Sequence, residues 1–86
     1  MIYVGIDVAK DKHDCFITNS DGEVLFKPFT IPNNRDGFET LFQRILSVSD
    51  DLNKVKVGLE ATGHYSYNLL GFLLDKGCHT FVINPL

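Results

Sequence analysis

Two acids in this sequence could act together. Asp7 ends the apolar run Ile2-Tyr3-Val4-Gly5-Ile6, and Glu60 ends the run Val55-Lys56-Val57-Gly58-Leu59. Their surroundings match, Val4-Gly5-Ile6-Asp7 against Val57-Gly58-Leu59-Glu60. As neighbouring parallel strands the two runs would lie about 4.8 Å apart. Both carboxylates would then sit at the carboxyl ends of their strands, where open α/β sheets place ligands. Side chains two residues apart share a strand face, so Gly5 and Gly58 are expected to leave open space beside the acids. Close carboxylates repel unless a proton or cation lies between them. Hard oxygen donors that leave room for water favour Mg²⁺ or Mn²⁺. Either acid alone reads equally well as a strand-end residue that starts a turn; the matched pair favours a metal site.

The elements that must hold this pair follow from hydrophobic periodicity. Ile2 to Ala9 reads as a strand, apolar enough to be central and covered on both faces. Lys12 to Asn19 is a second strand, Asn19-Ser20-Asp21-Gly22 a turn, and Glu23 to Ile31 a third strand completing a hairpin. Pro28 cannot donate to a ladder, which puts the third strand at a sheet edge. Phe38, Leu41, Phe42, Ile45 and Leu46 follow the i, i+3, i+4, i+7, i+8 spacing of a helix face, with Asn33 or Asn34 available to cap it. Ser47 to Asn53 is a polar connector, and Val55 to Glu60 a fourth strand. A second helix follows Thr62-Gly63, with Thr62 as its cap, Tyr65, Leu69, Phe72 and Leu73 on one face, and Gly77 at C′. Thr80 to Ile83 is the last strand.

The element order is thus β-β-β-α-β-α-β. Right-handed crossovers give an α/β mixed sheet of strand order 3-2-1-4-5, the front half of a ribonuclease H-like fold, incomplete at its C-terminus. Residues 1–86 form one unit, the N-terminal part of such a domain. With 44% hydrophobic and 22% charged residues the composition is that of an ordinary globular chain. No apolar run is long enough to span a bilayer, and the N-terminus lacks the basic region of a signal peptide. Two cysteines make no disulfide framework, so a reduced, cytoplasmic protein is expected. The net charge of −3 argues mildly against a stand-alone nucleic-acid binder, so contact with phosphates would need local cations, metal or other parts of a larger protein.

Other candidates carry less. His13 and Cys15 share a strand face and Cys78 adjoins His79, but neither pair has CxxC or HxxxH spacing. Half-buried strand residues are the better reading for them than zinc ligands. Lys10, Lys12 and His13 follow Asp7 and could lie near a phosphate backbone, although a solvated hairpin accounts for them. His64 and Tyr65 begin the second helix, whose N-terminus favours anions, so they could touch substrate; Tyr65 serves equally as a core anchor.

Three segments together resemble the N-terminal part of the DEDD transposases of the insertion-sequence family numbered 110, whose catalytic domain is similar to the Holliday-junction resolvase RuvC. They are Tyr3-Val4-Gly5-Ile6-Asp7-Val8-Ala9-Lys10, Gly58-Leu59-Glu60-Ala61-Thr62-Gly63-His64-Tyr65 and Val82-Ile83-Asn84-Pro85. The second is the most specific, and the resemblance runs along the whole chain. It implies that Asp7 and Glu60 are the first and second acidic ligands of a metal-dependent DNA-cleaving and rejoining enzyme. It further implies that two aspartates and a nucleophilic serine lie beyond Leu86, so that the 86 residues alone are expected to be inactive. Full-length members of the family work on DNA in prokaryotic cells as homo-oligomers with an element-encoded guide RNA.

Three rivals are separable. An actin- or sugar-kinase-type ATPase also starts with Gly-Ile-Asp and a hairpin, but continues with a glycine and a hydroxyl residue that wrap a phosphate. Val8-Ala9-Lys10 supplies neither. A RuvC-like resolvase outside transposition would share Asp7 and Glu60, and the Thr62-Gly63-His64-Tyr65 segment speaks against it. A non-catalytic assembly or binding module would oligomerise without binding DNA.

Overall fold

Alternation dictates the first hairpin. A computed structural model of the protein describes residues 1–60 and 64–83. In β1 (Ile2–Val8), Val4, Ile6 and Val8 are buried while Tyr3, Gly5 and Asp7 point the other way. In β2 (Lys12–Asn19), His13, Cys15 and Ile17 take the buried side. β1 and β2 pair antiparallel from Ile2↔Asn19 to Val8↔His13. The Asn19 side chain accepts the N–H groups of Asp21 and Glu23, both at 3.0 Å, while Gly22 takes a φ of 82° that favours glycine.

β3 (Val24–Pro32) is the edge strand that Pro28 requires, and its pairing with β2 slips between Cys15↔Phe29 and Ile17↔Phe26. Proline and irregular pairing coincide, as they do where a ladder bond cannot form. β4 (Val55–Glu60) adds to β1 in parallel and β5 (His79–Ile83) to β4 in parallel, giving a five-stranded sheet of order β3-β2-β1-β4-β5. Fold class and strand order are those expected from the sequence. Among the described residues, no helix is long and apolar enough to cross a membrane.

Helix α1 (Arg35–Val48) is capped by Asn34, whose side chain accepts the Gly37 N–H at 2.9 Å. Losing that acceptor strands an N-terminal donor, so Asn34→Ala is expected to cost about 0.5–2 kcal/mol in a urea titration. Phe38, Leu41 and Ile45 are buried by α1, Phe42 only partly, and Leu46 is exposed. The expected apolar face is therefore narrower than its five residues. α1 also runs into the expected connector, which holds a 3₁₀ turn at Leu52–Lys54 started by the Asp51 side chain on the Asn53 N–H.

Helix α2 (Tyr67–Asp75) buries Leu69 and Leu73 and ends at Gly77 (φ 85°), where Gly77 and Cys78 N–H donate to the Leu74 and Leu73 carbonyls. Both helices belong to one buried cluster with Val4, Ile6, Ile17, Val57 and Leu59, and the Phe38 and Phe72 rings lie 5.7 Å apart. The helices thus share one sheet face. The expectation that β1 is covered on both faces is corrected: among the described residues both helices lie on the other face, and the Tyr3-Gly5-Asp7 side carries only the Phe16 ring over Gly5, because those positions alternate away from the apolar set.

Candidate functional site

The open face is ordered in rows by the strand register. Asp7 pairs with Glu60 on β4 and with Asp14 on β2, and Glu60 pairs with Ile83 on β5. Asp14, Asp7 and Glu60 therefore form a line across three adjacent strands, at neighbour spacings of about 5 Å. The parallel pair Asp7 and Glu60 is brought together as expected. Asp14 is not among the residues the sequence singles out: the connection Ala9-Lys10-Asp11 leaves the hairpin register open, and the observed pairing puts Asp14 opposite Asp7. Thr30 on β3 donates its hydroxyl to Asp14 Oδ1 at 2.8 Å and fixes that carboxylate.

The three acids are a line and not a cage. Among the described residues no group of three or more His, Cys, Asp or Glu is gathered closely enough to hold a metal ion. What the line offers is a set of exposed hard oxygen donors, suited to an oxygen-loving cation that keeps much of its water. A groove of about 280 Å³ opens beside it, rimmed by Asp7, Asp14 and Glu60 and walled by Phe16, Pro28 and Ile83.

The expected open space beside Asp7 is partly corrected. A Cβ on Gly5 would collide with the Phe16 ring, which occupies that room, whereas one on Gly58 would only touch Ile83 at 3.6 Å. Gly5 is thus needed for close approach of an aromatic ring. The colliding atoms are the far end of a side chain that can swing, so Gly5→Ala is expected to cost about 1 kcal/mol, at the low end of overpacking effects. Phe16→Ala in the same background should remove that cost, and a double-mutant cycle measures the coupling.

The remaining candidates separate by burial. Lys10 and Lys12 are exposed, with Lys12 on the same sheet face as Asp14 and the Lys10 carbonyl accepting the Asn33 side chain at 2.8 Å. His13 is fully buried and cannot meet a phosphate: its Nδ1 accepts the Ala9 N–H at 3.2 Å and its ring stacks on Phe38. Cys15 is buried beside it, and burial first, then the Asp14 charge, push its thiol up to about 12. Burial also raises the Cys78 thiol. These residues were expected to be half-buried; the core covers them fully because α1 and α2 close over that face. His79 points elsewhere, to Asn53 at 3.2 Å, so the two Cys/His pairs form no common site.

His64 and Tyr65 lie in a turn before α2, which begins two residues after Tyr65; they do not start the helix as expected. His64 is exposed and its ring lies 4.8 Å from that of Tyr65, which is half-buried against the core. The cap assigned to Thr62 lies outside the described residues.

A family model described as a transposase, of the DEDD type numbered 110 among insertion sequences, matches residues 4–86. Two curated relatives are pilin gene-inverting proteins. That of Moraxella lacunata is 32% identical over 85 residues, and that of Moraxella bovis 31% over 85. Each match covers 98% of this chain, which spans 25% of the length of these relatives. Among solved structures, Thermus thermophilus RuvC in complex with a Holliday junction substrate is similar with a TM-score of 0.60 and 11% identity, over 99% of this chain and 66% of that one. The fowlpox virus Holliday junction resolvase gives 0.59 and 17%, over 99% and 62%. A Bacteroides thetaiotaomicron protein with an actin-like ATPase fold and unknown function gives 0.62 and 17%, over 95% and 32%. These likenesses are of fold, shared by nuclease and ATPase architectures alike.

Proposed function

The chain belongs to the DEDD transposase family numbered 110 among insertion sequences, and from that premise we propose that it is the N-terminal part of a metal-dependent catalytic domain that cleaves and rejoins DNA. One observation carries the reading: Asp7 and Glu60 are in register on adjacent parallel strands, exposed, at the carboxyl ends of both. Their oxygens would hold Mg²⁺ or Mn²⁺. Such an ion, when bound, stabilises charge on the phosphoryl oxygens of an in-line displacement. Asp7 and Glu60 would act by fixing that charge at the sheet end, while Thr30 holds the Asp14 carboxylate from the β3 side. Lys10 and Lys12 neutralise phosphates of the strand beside the acids, and His64 and Tyr65 contact nucleic acid from the turn before α2. The net charge of −3 leaves further phosphate contact to a bound metal or to other parts of the longer protein.

In the full-length protein the proposed partners are DNA, a guide RNA and further copies of itself, in the cytoplasm of a prokaryotic cell. The line of Asp14, Asp7 and Glu60 does not gather enough carboxylates to hold two metal ions, so the 86-residue chain alone is expected to be inactive. The test compares the two. Full-length protein should cut its element's DNA with Mg²⁺ and stop when the metal is chelated, while the 86-residue chain cuts nothing. Mg²⁺-dependent cutting by the short chain, abolished by Glu60→Gln, would overturn the division of the site.

A further inference from the structure

The connection between β1 and β2, Ala9-Lys10-Asp11, is exposed, yet its backbone is held at all three residues. The Ala9 N–H donates to His13 Nδ1 at 3.2 Å. Asn33, directly after β3, donates its side-chain amide to the Lys10 carbonyl at 2.8 Å and its backbone N–H to the Asp11 carbonyl at 2.9 Å. Short surface connections are usually more mobile than the strands they join. This one is clasped from two sides.

Packing does not account for His13. Because Nδ1 accepts, the proton of the neutral ring sits on Nε2, which is buried with no partner among the described residues. A buried donor left without an acceptor costs about 1–3 kcal/mol. A leucine would fill the space beside Phe38 without that cost. What the imidazole supplies and a leucine lacks is the acceptor for Ala9.

We propose that His13 and Asn33 are positioning residues that hold Lys10, three residues beyond Asp7, in place for a DNA phosphate beside the acids. A backbone already ordered removes part of the entropy lost when a long side chain is immobilised on its ligand. The inference rests on the reading of Lys10 as a phosphate contact and goes beyond it by assigning the residues that set its place.

Binding of the full-length protein to a labelled duplex of its element's end, measured with divalent metal chelated, tests it through double-mutant cycles. Lys10→Gln should weaken binding and lower its salt dependence by about one phosphate contact. Asn33→Ala should weaken binding about 2- to 10-fold with the lysine present, and leave it unchanged in the Lys10→Gln background. His13→Leu should repeat that pattern with no lower melting temperature. His13→Asn, whose Oδ1 can accept the Ala9 N–H, should restore binding. Lys10→Gln without effect would remove the phosphate reading and this inference with it. A Lys10→Gln effect to which Asn33→Ala adds in full would overturn the inference alone. So would His13→Leu that binds as tightly as wild type, or His13→Asn that binds no better than His13→Leu.

Discussion

Asp7→Asn in the full-length protein is expected to abolish Mg²⁺-dependent DNA cleavage while leaving the fold intact. The substitution keeps the shape of the side chain and removes one oxygen donor and one charge. A metal-stabilised transition state that loses a carboxylate loses several kcal/mol, so the rate should fall on the order of 10³-fold or more. The folded state should not suffer. Asp7 is exposed, and it stands in register between Asp14 and Glu60. Without a cation the three carboxylates repel one another, so the neutral amide should leave the melting temperature unchanged or slightly higher. Single-turnover cleavage and a thermal melt on the same preparation check both halves. Cleavage within a factor of a few of wild type would remove Asp7 from the chemistry.

The second large effect is on stability. Leu59 is fully buried on β4, between Gly58 and Glu60, and faces the helices while its neighbours face the open side. Leu59→Ala leaves a cavity under the strand and should cost about 2–5 kcal/mol. A domain of this size has about 5–15 kcal/mol in all, so the variant should melt at least about 10 °C lower. It should also weaken any metal affinity, because Glu60 is carried by the same strand. Urea titration read by circular dichroism measures the first effect. A loss below about 1 kcal/mol would mean that the core under β4 collapses to fill the gap.

Much of this architecture is legible in the residues. The turn Asn19-Ser20-Asp21-Gly22 fixes the hairpin, Pro28 fixes the edge, and the helical spacing of Phe38, Leu41 and Ile45 forces crossovers that order the remaining strands. The in-register pairing of Asp7 and Glu60 follows from the matched Val-Gly-apolar-acid segments. What escaped has physical causes. Asp14 depends on a hairpin register that a Lys- and Asp-containing connection leaves open until Val8↔His13 is known. The glycine at 5 reads as empty space, and only tertiary packing puts the Phe16 ring there. His13 looks half-buried by type, yet the Ala9 N–H and the Phe38 ring give it a place in the core. The start of α2 lacks a marker, since Ser66 precedes it without a side-chain capping bond.

Asp7 and Glu60 are proposed to bind one divalent cation between them. Titrating Mn²⁺ into the isotope-labelled 86-residue chain tests it most directly, because the paramagnetic ion broadens only nearby amide signals. Selective broadening is expected around Asp7, Asp14 and Glu60, displaced by excess Mg²⁺ and strongly reduced in Glu60→Gln. Broadening that is absent there, or unchanged by Glu60→Gln, would contradict it.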